Sequence, residues 1–137
     1  MTTKVVVDTN VVLDLLVFAD PAAQPLQAAL HEGRVIWLTS SGMRTELTRV
    51  LGYPRVAPRL AGAGLDALSV LNEFDRLTRE VDHAPAAPCR CSDPDDQLFI
   101  DLAVQHGALL LSKDAAVLSL RRRLHALGVQ VLSAWPS

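Results

Sequence analysis

Residues 4–16, KVVVDTNVVLDLL, decide the fold. Three β-branched residues, Val5, Val6 and Val7, read as a short strand buried on both faces. The pattern then breaks at Asp8, Thr9 and Asn10, and from Val11 to Phe18 the apolar residues suit a helix, with Thr9 or Asn10 as its cap. A buried strand running through a polar turn into a helix is the start of an α/β unit. Asp8 is the odd residue in it, a carboxylate placed where the apolar pattern should be strongest.

The same alternation continues outward. VIWL (35–38), ALLL (108–111) and VQVL (129–132) read as further buried strands, and residues 81–84 as a short one. Helices are expected over 26–33, 43–51 (capped by Ser40 or Ser41), 65–80 and 115–127. One more begins at Asp93-Pro94, with Asp93 as cap and Pro94 in the first turn, and ends at Gly107. Residues 55–64 are turn-rich, and PAAPCRC (85–91) is a proline-rich link. Strands apolar on both sides require cover on both sides. The expected fold is an α/β three-layer sandwich: a central, mostly parallel sheet of about five strands flanked by helices, forming a single domain over residues 1–137.

Composition narrows the function. The chain has 137 residues, 50% of them hydrophobic and 20% charged, with a formal net charge of −2. That balance argues against a protein that coats nucleic acid through bulk positive charge, while leaving room for a local basic rim. The high apolar fraction leads to the expectation of a homodimer. No apolar run approaches the ~18 residues of a membrane span, and the amino terminus has no cleavage-type signal, so a cytoplasmic protein is expected. Cys89 and Cys91 flank a single residue, too close for an unstrained disulfide, and read as free thiols.

In an open parallel sheet, functional groups gather at the carboxyl ends of the strands. Asp8 ends the first strand and Asp114 follows ALLL. Glu46 lies early in the helix after VIWL, and Asp96 starts the helix before ALLL. Each has an ordinary explanation: Asp8 and Asp114 can cap helices, Asp96 can complete a capping box with Asp93, and Glu46 can pair with Arg49. Their shared placement weakens those explanations. Two unit charges ~4 Å apart repel by about 4 kcal/mol at an effective dielectric near 20. Four carboxylates on one rim therefore call for protons or a shared cation. With neither histidine nor cysteine in the set, a hard ion such as Mg²⁺ or Mn²⁺ suits the donors better than zinc.

DTNVVLDLL, the acid in SSGMRTELTRVL, DPDDQLFIDLA and LLLSKDAAVL occur in this order along essentially the whole chain. The sequence thereby resembles the PIN-domain (PilT N-terminus) ribonucleases, and within them the toxin components of toxin–antitoxin pairs. The resemblance implies that Asp8, Glu46, Asp96 and Asp114 are the catalytic acids and the ligands of one or two Mg²⁺ or Mn²⁺ ions. It also implies that Asn10 supports the first acid and that Ser112 is the family's Ser/Thr two residues before the fourth. Asp96 is preferred over Asp93 and Asp95 because Asp96, Phe99 and Ala103 fit the family's helix pattern; Asp93 keeps the cap. Asp101 should face elsewhere, and Asp14 is either a support for the site or exposed.

The implied activity is metal-dependent hydrolysis of RNA, single-stranded or looped, with a cognate antitoxin as partner. An acidic centre acting on a polyanion needs positive flanks. Arg44, Arg49 and Lys113 are the leading candidates, with Arg55 and Arg59 nearby; Arg121, Arg122 and Arg123 read as a solvated face. Aromatic residues are only 4% of the chain, too few for a base-stacking platform. The alternatives are a non-catalytic PIN-like interaction module and a haloacid-dehalogenase-type phosphohydrolase. The latter would want an acid where Asn10 stands.

Overall fold

The computed structural model describes residues 2–136. The chain runs β1 (Thr3–Val7), α1 (Thr9–Leu16), α2 (Gln24–His31), β2 (Val35–Thr39), α3 (Ser41–Leu51), α4 (Ala57–Gly62), α5 (Ala67–Leu77) and β3 (Thr78–Glu80). It continues through α6 (Gln97–His106), β4 (Leu109–Leu111), α7 (Ala115–Leu118), α8 (Arg121–Ala126) and β5 (Val131–Leu132). Short 3₁₀ turns, Pro21–Ala23 and Pro94–Asp96, lead into α2 and α6. The five strands form one sheet in the order β3-β2-β1-β4-β5, and every pairing is parallel.

Successive strand residues point to opposite faces, and both faces are buried. Val5, Val7 and Trp37 pack with α1, α2, α3 and α5 on one side, where Trp37 meets Phe74 edge-on at 5.2 Å. Val6, Leu38 and Leu110 pack with α6, Val117 and Leu124 on the other. This is the three-layer α/β sandwich expected, with a sheet that is wholly rather than mostly parallel. The apolar composition goes into these two cores. Among the described residues only Leu68 and Leu127 are large, apolar and exposed, so composition does not by itself require a subunit interface.

Four local expectations are corrected. Residues 55–64 contain α4, since Pro58 is tolerated in a first helical turn and buried Leu60 anchors the helix to the core. The helix expected over 65–80 starts later and ends earlier. Asp66 and Ser69 form a capping box at its start, and Thr78 turns extended to pair with Trp37. The edge strand is thus Thr78–Glu80 rather than 81–84, and this short polar segment has no apolar pattern to betray it. Finally, the helix expected over 115–127 is broken into α7 and α8. At the break Ser119 donates its hydroxyl to the Ala116 carbonyl at 2.8 Å, a local competitor for the helical ladder. No helix of the described residues is long and apolar enough to cross a membrane.

Candidate metal centre

The strand order places β1 between β2 and β4. Connections leave β1 toward one side of the sheet and return to the other side at β4, so a crevice opens between the carboxyl ends of β1 and β4. Asp8 stands at one lip and Ser112-Lys113-Asp114 at the other. The ladder continues into the site, with the Asp8 amide donating to the Leu111 carbonyl at 2.9 Å. Ser112, fully buried, donates its hydroxyl to Asp8 Oδ2 at 2.7 Å and accepts the Asp114 amide at 3.1 Å. Strand pairing thus joins residues 104 positions apart, and one hydroxyl holds both acids in place.

An open groove of about 220 Å³ receives all four predicted acids, together with Asp93 and Asp95. Within it Asp93, Asp96 and Asp114 each offer an oxygen, and these oxygens lie within 4.8 Å of one another. Asp96 Oδ2 is buried with no hydrogen-bond donor. Its close neighbour is the Asp114 carboxyl, itself an acceptor, so the two can hydrogen-bond only when a proton stays between them, as the raised proton affinity of Asp96 records. A buried acceptor with no donor costs free energy, and a cation is the partner such an oxygen lacks. Carboxylate oxygens from three positions suit a hard divalent ion, so the residues present fit Mg²⁺ or Mn²⁺.

Glu46 stands apart from this trio. It reaches the groove from α3, accepts the Thr9 hydroxyl at 2.5 Å through Oε2, and lies 3.8 Å from Arg49. Thr9 is a residue that sequence reasoning treated only as a cap; its role depends on α1 and α3 meeting over the sheet. The helix begins at Thr9, two residues earlier than expected, with Asp8 itself at the N-cap and its side chain accepting the Ser112 hydroxyl. Asn10 lines the groove, and the hydrogen bond to the Asp8 carboxylate comes from Ser112.

Electrostatics record the crowding. Burial, then the charges of Asp8, Asp114 and Asp93, push the Asp96 carboxyl up to about 8. Asp8 is raised by burial, against the opposing bond from Ser112. Glu46 is raised by burial too, partly offset by the Thr9 hydroxyl. All three shifts say that the metal-free groove holds its negative charge at a cost.

The basic candidates divide. Arg49 and Arg55 line the groove, and so does one aromatic side chain, Tyr53. Arg44 instead makes a two-pronged ion pair with Asp75, at 2.8 and 2.9 Å. Arg59 stacks on the Phe18 ring at 4.3 Å. Lys113 pairs with the Asp14 carboxylate, which is buried rather than exposed. Arg121, Arg122 and Arg123 are exposed on α8, outside the groove. Asp101 faces elsewhere as expected, but it is buried: its Oδ1 accepts the Ala87 amide and the Gln97 side chain at 2.9 and 2.8 Å. Cys89 and Cys91 are free thiols.

A carboxylate groove at the switch point of a parallel sheet offers a set of oxygens that could hold a hard cation. The family follows from comparison: the PIN domain model matches residues 4–116, and the chain belongs to that family, whose members are nucleases. No curated protein matches the chain in sequence. Among solved structures it is similar to a chain of VapBC2 from Rickettsia felis bound to a DNA fragment from their promoter. The identity is 14%, covering 94% of this chain and 98% of that one, with a TM-score of 0.62. At that identity the likeness shows the fold.

Proposed function

We propose that this protein is a metal-dependent ribonuclease that hydrolyses phosphodiester bonds in single-stranded or looped RNA, and that it is the toxin of a toxin–antitoxin pair. The observation that carries the reading is the buried, donorless oxygen of Asp96 among carboxylates at the β1–β4 crevice. Bound there, one or two Mg²⁺ or Mn²⁺ ions would polarise the scissile phosphate and acidify a water. The protein's own groups do the rest. Ser112 fixes Asp8 and Asp114 at the rim, and Arg49 and Arg55 meet the phosphate backbone on the flank. Glu46, oriented by Thr9 and with raised proton affinity, takes the proton of the attacking water. The water oxygen bonds to phosphorus, the bond to the leaving ribose oxygen breaks, and that oxygen takes a proton from solvent.

Family membership supports the nuclease chemistry and removes the dehalogenase alternative. The fold likeness to a chain of VapBC2, captured on promoter DNA, supports the toxin assignment and a cognate antitoxin as partner. The direct experiment is Asp8→Asn in purified protein. It should abolish Mn²⁺-dependent cleavage of a single-stranded RNA while the circular dichroism spectrum is kept. Equal cleavage by the two proteins would assign the activity to a contaminant or another site. A folded wild type that binds no Mn²⁺ would instead favour the non-catalytic module.

A further inference from the structure

We propose that Asp93 is a direct ligand of the bound cation and that Glu46 is not, so the ion is held by Asp93, Asp96 and Asp114. The proposal rests on the reading of this groove as a divalent-cation site and revises its ligand set. Oxygens bound to one Mg²⁺ at about 2.1 Å lie ~3–4 Å apart, so the trio closes on an ion with side-chain movements of about 1 Å. Among the described residues, Asp93, Asp96 and Asp114 are the carboxylates whose oxygens gather as a trio, within 4.8 Å of one another. The unpartnered, buried Asp96 Oδ2 belongs to the same trio.

Asp93 uses Oδ1 to accept the Asp95 amide at 3.0 Å, which leaves its second oxygen for the ion. Its position is built rather than incidental. Two buried side chains of α6 grip the link that delivers it. Gln97 accepts the Cys91 amide at 2.7 Å and donates to the Cys89 carbonyl at 3.0 Å, while Asp101 accepts the Ala87 amide. Glu46 has the opposite character. Its Oε2 is occupied by Thr9, and Arg49 stands beside Oε1, so it already has partners for its charge.

Calorimetric titration of Mn²⁺ into wild type, Asp93→Asn and Glu46→Gln separates the two roles. Asparagine caps helices as well as aspartate, so Asp93→Asn keeps the turn and removes the ligand charge; Asp93→Ser, also a capping residue, is the second variant. Mn²⁺ affinity should fall at least tenfold in both Asp93 variants and stay within about threefold of wild type in Glu46→Gln, which nonetheless loses RNA cleavage. Asp93 variants that bind Mn²⁺ like wild type, or a Glu46→Gln loss as large as theirs, would overturn the assignment and leave the nuclease reading standing. No Mn²⁺ binding by wild type would end both.

Discussion

Removing the charge of Asp96 should make the metal-free protein more stable while abolishing its response to metal. The folded-state pKa, about 8, lies far above the ordinary aspartate value of 3.8. Between those values the folded protein keeps a proton that the unfolded chain releases. Stability therefore falls as pH rises from about 4 to about 8. Each tenfold change in proton affinity is worth about 1.4 kcal/mol, so the full gap corresponds to ~6 kcal/mol. Water in the open groove screens the repulsion, and about half of that, ~3 kcal/mol, is the expected loss. Asp96→Asn cannot ionise and should lose only the smaller part contributed by Asp8 and Glu46, whose shifts have the same sign.

The assay is urea denaturation at pH 4.5, 6 and 8 in chelator, repeated with Mn²⁺. Wild type should lose ~3 kcal/mol across the series, and the variant should exceed it at pH 8. At a hundred times its dissociation constant Mn²⁺ should restore about 2.7 kcal/mol to wild type and little to the variant. Equal wild-type stability at pH 4.5 and 8 without metal would refute the reasoning, because it would mean that the carboxylates are neither crowded nor desolvated. A variant less stable than wild type at pH 8 would refute it as well.

Other outcomes follow from the same geometry. Ser112→Ala removes the hydroxyl that holds both Asp8 and the Asp114 amide. It should cost about 1–3 kcal/mol in urea denaturation and reduce kcat more than it raises KM. Arg55→Ala should raise KM severalfold with kcat nearly unchanged, and the salt dependence of RNA binding should become shallower by about 0.7 in log–log slope. A fall in kcat alone would place Arg55 at the chemistry instead.

Much of this was legible one residue at a time. The valine run, the ALLL and VQVL strands and Gly107 at the end of α6 announce themselves through local pattern; Gly107 takes a φ of +60°, which glycine adopts freely. The edge strand Thr78–Glu80 was not legible, because its membership in the sheet depends on hydrogen bonds to β2 rather than on apolar side chains. Nor was the fate of the basic residues. Arg44 and Lys113 sit next to the right motifs, yet each is captured by an acid, Asp75 or Asp14, that only folding brings near.

What the sequence determined by itself was the α/β class and the four segments that carry acids, since strand and helix periodicity and the motifs are properties of neighbouring residues. Which carboxylates touch was decided by tertiary structure. The β1–β4 pairing carries Ser112 to Asp8, the gripped link carries Asp93 to Asp96 and Asp114, and the Thr9 hydroxyl holds Glu46 outside that trio. The physical reason is that Coulomb repulsion and desolvation depend on distances through space, and those distances exist only once the chain has packed.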